Sequence, residues 1–256
     1  MGVSLWVVRW YNRAVMFRIV SLIVLFVVAF PFGQADENSD RYRKQCAGII
    51  AAKGQAESDG RLWRLFEANW EYRMIASPEA ATWRGFPGQN HRWSDLSLVA
   101  IAEGKAVARL TLKAILSFDR AKLSEANRLN YDLFRRNAEM AVERQQFPAE
   151  YLAINQMDGL PRDVPSMIAM MPAAKPKDYN DILARLGGVP TLVDQTIALL
   201  QEGLSRGIVP PKVPLRTLPD QVTGHLHDGP LSTPMLAKFK KFPVTISVED
   251  QARLTE

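Results

Sequence analysis

The chain has 256 residues, of which 47% are hydrophobic and 23% charged, a composition typical of a globular protein and unlike that of a disordered chain. Its formal net charge is +5, but Arg9, Arg13 and Arg18 account for +3, and the remaining excess of about +2 is spread along the chain. This balance argues against a nucleic-acid partner. The single cysteine, Cys46, excludes an internal disulfide and a multi-thiolate metal site, so a hydrophobic core has to stabilise the fold.

The N-terminal residues predict export. From Ile19 to Phe32 the chain is almost entirely apolar, and a helix of this length spans roughly 21 Å, short of the roughly 30 Å hydrocarbon core of a bilayer. Gly33-Gln34-Ala35 then places small residues at the two positions that a signal peptidase recognises. We therefore expect a signal peptide over residues 1–35, cleavage after Ala35, and a periplasmic or secreted protein. An uncleaved membrane anchor is the alternative.

Met16 is a candidate for the true start of the chain. Met16-Phe17-Arg18 followed by the apolar run makes a complete and shorter signal peptide. Contact with a membrane is expected only through this segment, and residues 36–256 are expected to form one helical domain.

Three long helices are predicted in the first half of that domain. The first runs from Asp59, its N-cap, to Ala76, with a buried stripe made of Leu62, Trp63, Phe66, Trp70 and Met74. Ser77-Pro78 ends it, and Gly85–Trp93 is a loop. The second helix covers Ser97–Phe118. The third covers Ser124–Gln146, has Ser124 as its N-cap, and buries Leu129, Leu133, Ala138, Ala141 and Val142.

Proline and glycine divide the second half into shorter elements. Tyr151–Pro165 is predicted to be irregular, with a turn at Asn155–Gly159 and a short helix, Ser166–Met171, after it. The other predicted helices are Lys177–Leu186, a helix from near Pro190 to Gly207 with the apolar positions Val193, Ile197, Leu200 and Leu204, and short helices near Pro219–Thr223 and Pro234–Lys240. Strand-like alternation is scarce. The predicted class is therefore all-α, an irregular bundle of about seven to nine helices after the signal helix.

The last residues predict the start of a helix. Ser247 and Asp250 resemble a capping box, and the helical pattern begins at Val248 and continues to Glu256. A helix of two turns is marginal alone. We expect either that it docks on the body of the domain or that the domain continues in a longer protein.

Catalytic and metal-binding motifs are scarce in this sequence. The histidines are His91, His225 and His227, and no His-Glu-x-x-His segment occurs. His225-Leu226-His227 supplies two ligands where zinc needs three or four, and the flanking Gly224, Asp228 and Gly229 favour a loop over a metal site. A Gly-x-Ser-x-Gly elbow, a phosphate-binding loop and a dinucleotide fingerprint are also absent from the sequence. No catalytic, cofactor-binding or metal residue is therefore assigned.

The order of several short segments is nevertheless informative. They are Leu65–Arg73, Ser77–Thr82, Trp93–Ser97, Leu123–Phe134, Asn155–Gly159, Asp178-Tyr179, Ile182–Leu186 and Gly203–Pro211. No single segment is specific, but the ordered set resembles a bacterial family called domain of unknown function 885. The likeness runs from about Arg61 to the last residue.

This resemblance implies an incomplete protein. Members of the family are typically about twice this long, many are exported, and their later half carries a His-Glu-x-x-Pro-Gly-His-like segment that makes them look like zinc metallopeptidases. The zinc would activate a water there, but none of those residues occurs in this sequence. The expected cofactor is thus none in this chain and zinc in full-length members. The expected partners are the missing C-terminal half of the family domain and peptides.

Three functional hypotheses follow. The leading one is the helical N-terminal portion of an exported metallopeptidase-like protein, inactive alone, which helps to wall a substrate cleft. The second is a self-sufficient periplasmic binding or interaction module, and the third, an independent hydrolase, lacks catalytic groups in the sequence. The first hypothesis predicts exposed apolar surface where the missing half would pack.

Overall fold

A computed structural model describes residues 33–54, 58–225 and 232–255 of the chain, with side chains from Glu37 onward. Apart from Gly33 and Gln34, where the first helix begins, the features below belong to the compact unit Ala35–Glu256. The predicted apolar run and the start at Met16 lie outside the described residues, so the signal peptide stays a prediction. Within the described ranges, no helix has the length and apolar character needed to cross a membrane.

The all-α class is confirmed, because the described residues form helices and no β-strand. The α-helices are α1 Gly33–Ala51, α2 Ser58–Ala76, α3 Pro78–Trp83, α4 Leu98–Ile115, α5 Glu125–Glu143, α6 Leu160–Met170, α7 Pro176–Gly187, α8 Val189–Ser205, α9 Lys212–Leu215, α10 Leu218–Thr223 and α11 Val248–Thr255. Short 3₁₀ helices cover Arg120–Lys122, Arg144–Gln146, Ala149–Leu152 and Pro234–Phe239.

Helices α1, α2, α4 and α5 share the larger core. Helix α1 was not predicted, because it is mostly polar, yet Tyr42, Cys46 and Ile49 recur at steps of four and three and are all buried. They pack with residues of the other three helices, among them Leu62, Leu65, Ile115 and Tyr131. Burial also raises the pKa of the Cys46 thiol, which favours a packing role for this cysteine over a reactive one.

A buried arginine ties the ends of two of these helices together. Arg61 donates hydrogen bonds to Ile49 O at 3.1 Å and to Ser117 O at 3.3 Å, close to the C-terminal ends of α1 and α4. Its guanidinium also lies 3.9 Å from the centre of the Phe118 ring. One side chain thereby satisfies carbonyl groups that the two helices leave without partners.

The predicted limits of α2 are confirmed to within one residue, but its cap and its buried stripe are partly wrong. The helix starts at Ser58, so Asp59 lies in the first turn, where its carboxylate accepts a hydrogen bond from Ser124 N at 3.1 Å. Leu62 and Met74 are buried as predicted, whereas Trp63 and Trp70 are about half exposed, at 49% and 48%. The buried face is turned toward Arg61, Leu65 and Ala68, which contact α1 and α4.

The predicted buried face of α5 is also partly wrong. Leu129 and Leu133 are 63% and 57% exposed, and Ala141 is exposed as well. The side chains that enter the core are those of Tyr131 and Ala138. Leu129 and Leu133 each lie two residues from Tyr131, about 200° around the helix axis, and so project away from α4. The exposed pair Leu129 and Leu133 and the buried pair Tyr131 and Ala138 both have helical spacing. The position of α4 decides which pair is buried.

A second cluster joins α6 and α7 to the C-terminal residues, and its buried members are Ile168, Met171, Tyr179, Ile182, Phe239, Ile246 and Leu254. Residues 160–165 were predicted to be irregular, but α6 begins at Leu160. Pro161 lies in its first turn, where a missing N–H costs nothing, and Pro165 is accommodated inside the helix.

The C-terminal helix docks on the body of the domain. Ser247 Oγ accepts a hydrogen bond from Asp250 N at 3.1 Å, which is one half of the predicted capping box. The other half differs, because Asp250 Oδ2 accepts from the Ser247 hydroxyl at 3.1 Å instead of from the Ser247 N–H. Leu254 is buried in the second cluster beside α7, and this contact stabilises a helix too short to be stable alone.

A buried leucine of α2 and an exposed leucine of α5 should respond differently to replacement by alanine. Leu62→Ala should lower the free energy of unfolding by about 2–5 kcal/mol, because it leaves a cavity in the larger core. Leu129→Ala should change it by no more than about 0.5 kcal/mol, because that side chain is mostly in solvent. Urea denaturation of both variants measures this, and equal losses would contradict the assignment of the core.

Candidate functional site

One histidine of the pair His225 and His227 has a structural role. His225, just after α10, donates a hydrogen bond from Nε2 to Pro161 O at 2.6 Å. In a regular helix this carbonyl would receive the N–H of residue 165, but Pro165 has none. The imidazole therefore satisfies the acceptor that Pro165 leaves open.

The donor set required for zinc is not assembled in the described part of the chain. His91 lies on the exposed loop, and His227 falls in residues 226–231, outside the described ranges. No three His, Cys, Asp or Glu side chains of the described residues come close enough to hold a metal ion. These residues do not fit zinc, and no metal-dependent step is derived from them.

A cleft of about 760 Å³ lies among α1, α2, α4, α5 and the chain after α3. This volume is within the range of small-molecule sites, about 300–1,000 Å³. Its walls combine small, apolar and polar side chains, including Asn38, Asn69, Tyr72, Arg73, Ile75, Arg92, Ser94, Asp95, Ile101, Glu103, Gly104, Ala108, Thr111, Phe134, Asn137, Ala141 and Arg144. We define this space as the helical cleft.

The helical cleft owes its width to small residues on facing helices. Ala100, Gly104 and Ala108 follow one another at steps of four on α4, and Ala138 and Ala141 lie on α5. Helix positions three and four apart share a face, so these residues line the space with little side-chain volume.

An ion pair holds one wall of the cleft. Arg43 of α1 donates from Nη2 to both carboxylate oxygens of Glu103, at 2.6 and 2.8 Å. This hydrogen bonding raises the pKa of the Arg43 guanidinium above its ordinary value. Glu103 is therefore neutralised by the protein's own cation.

A directed chain of hydrogen bonds lies beneath the cleft. Thr111 Oγ1 donates to Val107 O at 3.0 Å, so its single proton is used and it accepts from Tyr42 OH at 2.9 Å. Asn69 Nδ2 in turn donates to Tyr42 OH at 3.1 Å. Burial raises the pKa of Tyr42 far above its ordinary value, so the phenol stays protonated and positions α1, α2 and α4.

The loop beside the cleft is fixed by Arg185 of α7, which has no exposed surface. Its guanidinium donates to Arg92 O at 3.0 Å, Thr82 Oγ1 at 3.0 Å, Pro78 O at 3.4 Å and Gln89 O at 2.9 Å. Trp93 donates back from Nε1 to Arg185 O at 2.6 Å. Burial lowers the pKa of Arg185, but a guanidinium remains protonated at neutral pH.

With this geometry established, the comparison with known families becomes informative. The sequence model of the family described as "Bacterial protein of unknown function (DUF885)" matches residues 78–256. The chain belongs to the DUF885 family. The matched region includes α4, α5 and Arg185, whereas the resembling segment Leu65–Arg73 lies before it. A search of curated proteins finds no significant match.

Sequence reasoning assigned no site residue and missed the helical cleft. One signal was available, since Ala100, Gly104 and Ala108 mark a small-residue face on a strongly predicted helix of this DUF885 protein. The contributions of Asn38 and Arg92 could not be found in this way, because one lies on an unpredicted helix and the other on a loop.

Replacing Arg185 tests whether it organises the loop. Arg185→Lys should lower the free energy of unfolding by about 2–4 kcal/mol, because one ammonium cannot reach all four acceptors and buried carbonyls lose their donors. The matched control is Arg136→Lys on α5, an exposed residue paired with Glu143 at 3.2 Å, which should cost no more than about 0.5 kcal/mol. Denaturant unfolding checks both, and similar small losses would contradict the assignment.

Proposed function

We propose that this chain is the helical, non-catalytic N-terminal portion of an exported DUF885 protein. In this role it contributes the helical cleft as part of a substrate-binding wall, and a further part of the family domain supplies the zinc chemistry. The proposed location is the periplasm or the cell exterior, after cleavage near Ala35. The match to the DUF885 family supports this assignment.

The observation that carries the proposal is the outer face of α8. Val193, Ile197 and Leu204 share one side of this helix and are 37%, 46% and 69% exposed. We call these three residues the α8 stripe. A second side, about 130° around the helix axis, is also apolar and is buried through Leu192 and Leu199.

When a helix is apolar on two sides, both sides are usually covered by other parts of a protein. The covered side packs against the 3₁₀ helix Ala149–Leu152, where Gly203 allows close approach: an added Cβ would lie 2.8 Å from Tyr151 Cβ. We propose that the α8 stripe is where the remaining part of the family domain docks.

The alternative proposal, a self-sufficient helical binding module, also has an observation in its favour. Described residues of this chain line the helical cleft, and the buried cluster of α1, α2, α4 and α5 lies beneath it. Such a cleft could bind a ligand without a second polypeptide. The two proposals therefore differ in whether the α8 stripe needs a partner.

The α8 stripe should bind an apolar dye. Leu204→Asp and Ile197→Asp should each reduce the fluorescence of bound anilinonaphthalene sulfonate, because they remove contiguous apolar surface. The matched control is Val248→Asp, which removes an exposed valine at the start of α11, outside the stripe, and should leave the signal unchanged. Sedimentation in the same buffer shows whether the stripe is covered by a second copy. A dimer that Leu204→Asp dissociates would assign the stripe to self-association and contradict the proposal.

The chain by itself should not cleave peptides. A peptide library incubated with the purified chain and stoichiometric zinc should stay intact over hours, and the products can be followed by mass spectrometry. Cleavage that a chelator abolishes would overturn the proposal. The DNA after the codon for Glu256 provides an independent test, since the proposal expects a His-Glu-x-x-Pro-Gly-His-like segment to be encoded there.

A further inference from the structure

The charged side chains of the helical cleft are unequally engaged. Both acids have partners within the protein: Glu103 binds Arg43 through two hydrogen bonds, and Asp95 Oδ1 accepts from Gln195 Nε2 and Ser97 N, each at 2.8 Å. Glu103 is therefore not available to a cationic ligand, whereas the partners of Asp95 are uncharged and leave its negative charge at the rim of the cleft.

The arginines that line the cleft, unlike Glu103, form no ion pair in the described residues. Arg73 of α2 and Arg144, at the end of α5, are exposed, and neither guanidinium lies within 4.0 Å of a carboxylate in the described residues. Arg92 donates only to neutral acceptors, Ile75 O and Gln89 Oε1, and its Nη1 makes no hydrogen bond within the described chain. Three arginines therefore line one cleft without an ion pair to a carboxylate within 4.0 Å in the described residues, and Glu79 acts on Arg92 only from a longer distance.

Gly104 contributes to the open space of the cleft. It lies in the middle of α4, where glycine costs about 1 kcal/mol relative to alanine. No packing contact demands it, because a Cβ added there would meet no atom within 4 Å. By contrast, a Cβ added at Gly203 would lie 2.7 Å from Ile208 O. The missing side chain at residue 104 keeps open the space between α4 and α5.

We propose that the helical cleft binds a short acidic peptide, whose carboxylates are held by Arg73, Arg92 and Arg144. A guanidinium binds a carboxylate through two parallel hydrogen bonds, and this geometry together with the opposite charge favours carboxylates over neutral or cationic groups. Ile101 and Met140 supply apolar contacts for the rest of the ligand. This ligand class rests on the proposed use of the cleft as a binding wall, and it requires neither zinc nor a partner on α8.

Calorimetric titration of the 256-residue chain tests the ligand class. N-acetyl-triglutamate should bind, and N-acetyl-triglutamine amide, of similar size but neutral, should bind at least about tenfold more weakly because it lacks the charge-assisted hydrogen bonds. The affinity for triglutamate should also fall as salt is raised from 0.05 to 0.5 M, since ions screen exposed charges at about 10 Å or less. Citrate distinguishes a peptide site from a site for small polycarboxylates: binding of citrate as tight as that of triglutamate would overturn the peptide assignment.

Substitutions on the cleft wall locate the site. Arg73→Gln and Arg144→Gln should each weaken triglutamate binding about five- to tenfold. Arg64→Gln is the matched control, because Arg64 is an exposed arginine of the same helix as Arg73 but does not line the cleft, and its affinity should stay within about twofold. An equal loss in all three variants would indicate nonspecific attraction and overturn the site.

Filling the space tests the cleft without changing its charge. Gly104→Leu should abolish triglutamate binding while the protein unfolds at an equal or higher temperature, because leucine favours the helix more than glycine does. Gly104→Ala, the smaller change, should keep the fold and weaken binding less. Undiminished binding by Gly104→Leu would overturn the proposal. If triglutamate fails to bind the unmodified chain, this ligand class is wrong, whereas dye binding at the α8 stripe and the zinc incubation still decide the proposed function.

Discussion

Carbonyl oxygens at the C-terminal ends of helices need hydrogen-bond donors, and in this protein cationic side chains from other elements supply several of them. Arg61 does so for α1 and α4, Arg92 for α2, and Lys238 for α6, where it donates to Ile168 O and Met171 O. These carbonyl groups form the negative end of the helix dipole, so a cation stabilises them more than a neutral donor would. The same contacts join elements that are distant in sequence, in a chain whose one cysteine cannot cross-link it internally.

Arg185 extends this principle from helix ends to a loop. The residues after α3 form no regular structure, so their carbonyl groups need partners from outside. Arg185 binds two of them, Gln89 O and Arg92 O, together with Pro78 O and the Thr82 hydroxyl of α3 itself. The loop then presents Ser94 and Asp95 to the helical cleft from a fixed position, with Ser94 donating to Glu79 at 2.5 Å. A buried side chain of α7 thus determines part of a binding surface that it does not itself line.

Much of the helix pattern could be predicted from the sequence, because proline, glycine and capping residues act locally. Pro190 lies at the start of α8 and Gly207 follows its end, as predicted, and the helix predicted from Ser97 begins at Leu98 with Ser97 as its cap. The buried faces could not all be predicted, because α5 and α8 each carry two apolar faces and only the position of neighbouring helices decides between them. The cleft could not be predicted for a similar reason. It forms only where a polar helix, a loop and the small residues of two other helices come together in the folded chain. Arg185 was missed because a buried arginine becomes intelligible only when its acceptors, on average about a hundred residues away, are brought to it.

The two surfaces on which the functional proposals rest face different directions, and this separates the proposals physically. Gln195 of α8 holds the cleft rim through Asp95 and Leu96 N. It lies two residues from both Val193 and Ile197, a rotation of about 200° around the helix, so the α8 stripe points away from the cleft. Chemistry separates them as well, since the stripe is apolar and the cleft carries arginines that form no ion pair in the described residues. A polypeptide docked on the stripe would support α8 from behind without filling the cleft, and a small acidic ligand could enter the cleft while that partner is in place.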